Sequence, residues 1–177
     1  MAADRDIKKL DLVEKTVIDL MDRYHNCAQC TLVGIQRVYG IKDENLAKAS
    51  TGLAGGIGGV QSVCGALTGA ALALGSKYGR DIQFLDGPPE MAVKAQEISI
   101  EQVARLAKWF EREFGSILCK EIRQSHLGTD LKRDVPWQNE WAERLGMRKR
   151  CSGIAALTAR RVLVMLDDPH LSIVDKI

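Results

Sequence analysis

The sequence predicts an all-α fold: a compact bundle of five to seven helices, with a Gly-rich loop before a central Gly/Ala-rich helix. Three observations lead there. Several stretches repeat apolar residues at the 3.6-residue period of a helix. No stretch shows the period-two alternation that a strand needs. The composition is that of an ordinary globular chain, with 46% hydrophobic and 27% charged residues, so global disorder is not expected. At 177 residues, a single domain over positions 1–177 can bury a sizeable core. With only 5% aromatics and 16 glycines, that core is expected to pack closely from small side chains.

The elements follow in order. Ile7, Leu10, Val13, Val17, Leu20 and Tyr24 form one stripe of a first amphipathic helix. Asn26 is placed to cap a second helix over 27–39, which Gly40 closes. Asp43 is placed to cap a short third helix through Leu46 and Ala49. No residue between Gly52 and Gly75 is charged, and eight of those 24 are glycine. That length would suit a membrane span. Gln61, Ser62, Thr68 and the doubled glycines Gly55-Gly56 and Gly58-Gly59 favour instead a loop followed by a buried helix from about Gln61 to Tyr78. Within it Gly65, Gly69 and Ala73 stand four apart, a spacing that lets another backbone approach closely. Arg80 to Ile98 reads as a connector, because Gly87-Pro88-Pro89 forbids a helix there. A Ser99/Gln102 capping box then opens a long helix on Ile100, Val103, Ala107, Phe110, Phe114 and Ile117. Gly128 to Pro136 is a second connector. A last helix is expected from about Cys151 to Leu166, stopped by Asp168-Pro169.

Charge narrows the function. With 25 basic and 23 acidic residues the net charge is +2, which argues against a dedicated nucleic-acid or membrane-surface binder. The stretch from Met1 to Leu20 lacks the continuous apolar core of a secretory signal, so a cytoplasmic location with reduced thiols is expected. His25, His126 and His170 are too dispersed for a ligand cluster. Glu111, Glu113 and Glu121 read as a solvated helix face, and no Ser/His/Asp arrangement supports hydrolysis. Asp167-Asp168 lies at a helix end where acids are unfavourable.

Five cysteines carry the chemistry: Cys27, Cys30, Cys64, Cys119 and Cys151. Cys27 and Cys30 share a face in the first turn of the second helix. Cys64 falls in the first turns of the central helix, Cys119 near the end of the long helix, and Cys151 at the start of the last. A helix N-terminus favours an anion, so thiols there are expected to ionise more easily. The neighbours His25, Lys120 and Arg148-Lys149-Arg150 push the same way. If the fold gathers these regions, four thiolates share one site.

The motif order completes the reading. Asn26-Cys27-Ala28-Gln29, then Cys64-Gly65-Ala66-Leu67-Thr68-Gly69, then Cys119, then Cys151-Ser152-Gly153, resembles the C_GCAxxG_C_C family of redox-active proteins over about 26–166. A related domain occurs in split-Soret-type cytochromes beside haem and an iron–sulfur centre. No C-x-x-C-H is present, so covalent haem is not indicated. The resemblance implies a small helical protein whose four characteristic cysteines map to Cys27, Cys64, Cys119 and Cys151. Cys30 departs from the family pattern, where Ser is usual, and is an alternative ligand to Cys27.

Four soft sulfurs suit an iron–sulfur cluster or tetrahedral zinc. Gly55, Gly56, Gly58, Gly59 and Gly65 are candidates to bring backbone N–H groups to such a cofactor. Three functions stay open. The first is electron transfer or redox sensing through an iron–sulfur centre, with an unidentified redox partner protein. The second is a metal-free dithiol/disulfide switch in which Cys27 pairs with Cys30, or one of them pairs with Cys64 or Cys151. The third is a helical interaction module with structural zinc or merely packed cysteines, presenting Trp137 and Trp141. Close packing by small residues is also compatible with a homodimer.

Overall fold

A computed structural model of the chain describes residues 2–167; His170 and the expected stop at Asp168-Pro169 lie outside the described residues. Eight α-helices are present among them: α1 (Ala2–Tyr24), α2 (Cys27–Tyr39), α3 (Glu44–Ala49), α4 (Gly65–Tyr78), α5 (Pro89–Phe114), α6 (Cys119–Leu127), α7 (Pro136–Arg144) and α8 (Met147–Asp167). Short 3₁₀ turns cover Ser50–Leu53 and Ile82–Leu85. The fold is all-α, with one helix more than the upper expectation. The described residues hold no helix long and apolar enough to cross a membrane.

Helices α1, α2, α4 and α8 pack on one another, and α5 covers α4. On α1 the inward stripe is Val13, Val17, Leu20 and Met21, while Ile7 and Tyr24 are exposed. The bundle is tight because glycines stand where helices cross. A Cβ at Gly34 would run into the side chain of Val17, and one at Gly69 into the carbonyl of Ala28. Helix α4 therefore lies against the backbone of α2, as the small-residue spacing predicts.

Local signals held where capping is local. The Asn26 side chain accepts from the Gln29 N–H and Asp43 accepts from the Leu46 N–H. Gly40 ends α2 in the left-handed region at φ 84°. Four expectations are corrected. Helix α4 begins at Gly65, since Gln61 sits at φ 62° and 61–64 pair with 117–120 instead. Pro88-Pro89 opens α5 rather than forbidding it, because Pro89 sits at the first helical positions, where a missing N–H costs nothing. Ser99 thus lies inside a helix, and Ile100 is 59% exposed. Helix α5 ends at Gly115, so Cys119 opens a helix of its own, α6. Finally, α8 starts at Met147, which puts Cys151 a turn inside it.

Candidate functional site

The site forms where four separated segments meet. The stretch before α4 pairs with the stretch before α6 through an antiparallel bridge between Val63 and Leu118. The Cys64 N–H donates to the Ile117 carbonyl at 2.8 Å, and the Cys119 N–H donates to the Ser62 carbonyl at 2.7 Å. This crossing sets Cys64, the N-cap of α4, beside Cys119, the first residue of α6. Helix α2 delivers Cys27 to the same place. A Cβ on Gly65 would collide with the Cys27 Sγ. Gly65 thus has a steric role, which is to let that sulfur reach the start of α4. Asn26 and Gln29 lock the approach: the Asn26 side chain donates to the Thr51 carbonyl, and Gln29 donates to the Ala47 carbonyl, each at 3.0 Å.

Cys27, Cys64, Cys119 and Cys151 line one small cavity with Arg123 and Arg133. Ile122, Met147 and Ile154 supply its apolar wall. About 20 Å³ is open to the centre of a water molecule, room for roughly one water. Cys30 is not part of it. Its side chain is buried in the hydrophobic core. All five cysteines are free thiols. Of the loop glycines, Gly55 alone lines the cavity, and Gly56 backs onto Gln61 and Ser62. Gly58 and Gly59 have no neighbour within 4 Å of a built Cβ.

The loop is held in an uncommon backbone state. Residues 55–59 all have positive φ, including Ile57 at 60°, an outlier for a β-branched residue. The turn stays closed through bonds such as Gly58 N–H to the Gly52 carbonyl at 2.7 Å and Ser62 N–H to the Gly56 carbonyl at 3.0 Å. It also seats Arg133. The Gln61 side chain accepts from the Arg133 N–H at 3.3 Å, and the Arg133 guanidinium lies where a Cβ on Gly55 would be 2.9 Å away.

Electrostatics overturn one expectation. Helix starts were expected to lower the thiol pKa values; burial wins instead. Desolvation pushes Cys64 up, reinforced by the charge of Cys27, although the Ala66 amide points at its sulfur without closing a cap hydrogen bond. Part of Cys151 is solvent-accessible, yet its thiol is walled in, and desolvation together with Cys27 and Cys119 pushes it up to about 12. Cys119 rises by desolvation and Cys27, opposed by Arg123 and Arg133. Cys30 rises by desolvation in the core.

Sequence reasoning missed the arginines. Arg123 is only 3% exposed, and its Nε has no hydrogen-bond partner. One guanidinium nitrogen reaches the Leu131 carbonyl at 3.5 Å. A buried cation with an unspent N–H, beside four thiols, is a place built for negative charge.

The family model described as "Putative redox-active protein (C_GCAxxG_C_C)" matches residues 25–165. The chain belongs to the C_GCAxxG_C_C family. The match runs from the turn before Cys27 to the end of the α8 core, so it takes in every cysteine. No curated protein and no solved structure shows significant similarity to the chain. In this C_GCAxxG_C_C protein each motif position has a physical task. Gly65 admits the Cys27 sulfur, Ala66 lines the cavity, and Gly69 lets α2 settle on α4.

The cavity gathers four soft sulfurs, those of Cys27, Cys64, Cys119 and Cys151, with two cations beside them. Among the described residues, no group of three or more His, Cys, Asp or Glu side chains is gathered tightly enough to hold a single metal ion. A tetrahedral zinc needs sulfurs about 3.8 Å apart, given Zn–S near 2.3 Å.

Proposed function

We propose that the protein is an electron-transfer or redox-sensing protein in which Cys27, Cys64, Cys119 and Cys151 hold an iron–sulfur cluster. One observation carries the reading: four cysteines, far apart in sequence, line one cavity with buried Arg123, whose Nε has no hydrogen-bond partner. When bound, such a cluster supplies one-electron chemistry. The chain's own residues set its conditions. The cysteines give up their protons as they become ligands. Arg123 and Arg133 offset the negative charge of the thiolates. Ile122, Met147 and Ile154 give the cavity an apolar wall, and a cavity with room for about one water must widen to take a cluster. An unidentified redox partner protein would exchange electrons at this end of the bundle. Zinc is the weaker reading, because it has no redox chemistry of its own, whereas the family is described as redox-active.

Reconstitution under anaerobic conditions with ferrous iron and sulfide tests it. The expected result is a brown protein with iron and acid-labile sulfide in stoichiometric ratio to the chain. A colourless product lacking both, with Cys27 found in a reversible disulfide, would favour the dithiol switch instead.

A further inference from the structure

A second groove shares Ile154 with the thiol cavity. Its apolar surface comes from Phe114, Leu145, Leu157 and Ile154, the last of which lines both spaces. His126, Lys149 and Arg150 stand around it, and no acidic side chain is among its lining residues. About 350 Å³ is open to water centres, within the size range of small-molecule sites. Leu145 and Leu157 are 47% and 42% exposed. The Arg150 guanidinium sits 6.0 Å from the Phe114 ring centroid.

Gly153 is the second, independent observation. It lies inside α8, where glycine costs about 1 kcal/mol relative to alanine. No neighbour demands it, since a built Cβ meets nothing within 4 Å. Its missing side chain instead leaves the floor of the groove open. A flat body can lie on that bare helix surface, against Phe114.

We propose that this groove binds a small aromatic anion: one or two fused rings bearing a carboxylate, sulfonate or phosphate. The rings lie over Gly153 between Phe114 and Leu157, and the anionic group faces Lys149, Arg150 and His126. The proposal stands apart from the cluster reading and does not depend on it.

The test uses the full-length metal-free protein and naphthalene-2-carboxylate, titrated by calorimetry and two-dimensional NMR. Saturable one-to-one binding is expected, with shifts at Gly153 and Leu157. The neutral naphthalene-2-carboxamide should bind about tenfold more weakly or less. Gly153→Leu fills the floor and should weaken the carboxylate by about tenfold or more, with thermal stability no lower than wild type. The double variant Lys149→Gln, Arg150→Gln should weaken the carboxylate comparably and leave the carboxamide unchanged, which keeps the proposal testable should Gly153→Leu misfold. No saturable binding, equal binding of the two probes, or full affinity in the charge variant would overturn it.

Discussion

At the C-terminal end of α4, polar groups near the core have found partners. The Lys77 ammonium donates to the Tyr39 hydroxyl and to the Leu166 carbonyl at 2.6 Å, and the Tyr78 hydroxyl donates to the Met165 carbonyl at 3.2 Å. Lys9 pairs with Asp167 at 2.9 Å. Between these groups Leu74, Val162, Leu163 and Leu166 are packed to 1% exposure or less. At the N-terminal end of α4 the reverse holds. Four thiols line one cavity, an arginine is buried with a free N–H, and a loop runs through five successive positive φ angles. The first end supplies stability. The second carries costs that packing alone does not explain, and such costs mark a functional site.

Cutting into the first end should have the largest effect on stability and little on the site. Leu74→Ala is expected to cost about 2–5 kcal/mol in urea denaturation of the metal-free protein, while iron bound per folded chain stays at the wild-type level. Loss of cofactor loading there, with the fold retained, would dissolve the distinction between the ends.

Gly69→Ala comes next. Its Cβ meets the Ala28 backbone, which cannot swing aside, so about 1–3 kcal/mol of overpacking is expected in the same denaturation assay. Gly65→Ala meets a side-chain sulfur instead. It should cost less stability but displace Cys27, so that iron loading falls further than in Gly69→Ala.

Alkali should act through the thiol end. The folded pKa of Cys151 is raised from an ordinary 9.0 to about 12, and that of Cys64 is raised as well. Above pH 9 the unfolded chain sheds these protons while the folded protein keeps them. The unfolded state then binds fewer protons, so stability declines as pH rises from about 9 towards 12. Below pH 9 both states are protonated and these thiols contribute no slope. Denaturation of the metal-free protein from pH 7 to 11 checks this, and Cys64→Ser should flatten the decline.

The smallest change in stability is expected for Arg123→Met. Removing a poorly partnered buried cation should leave the metal-free protein unchanged or up to about 1 kcal/mol more stable. Iron loading should nevertheless fall. Opposite movement of stability and loading is what a residue kept for function produces.

The sequence was readable where the cause is local. Asn26, Gly40 and Asp43 act within one turn, so their caps could be placed to the residue. The motif order named the same four cysteines that the fold brings to one cavity, and close packing at Gly69 followed from small-residue spacing. Errors arose where a pattern ran past a break. The apolar period continues to Ile117, which hid the left-handed stop at Gly115 and left Cys119 on the wrong helix. Gly146, at φ 83°, was an unread signal that α8 starts before Cys151. Thiol ionisation was misjudged because helix position is visible in sequence and desolvation is not. Arg123 and Arg133 were illegible, since they reach the cavity through the α6 packing and the Gln61 bond.

Iron loading of five single Cys→Ser variants, reconstituted in parallel with the wild type, probes the shared cavity most directly. Changing Cys27, Cys64, Cys119 or Cys151 should each abolish or sharply reduce bound iron and sulfide, whereas Cys30→Ser should load like the wild type. Equal loss in Cys30→Ser, or full loading after any one of the four cavity cysteines is replaced, would contradict the account.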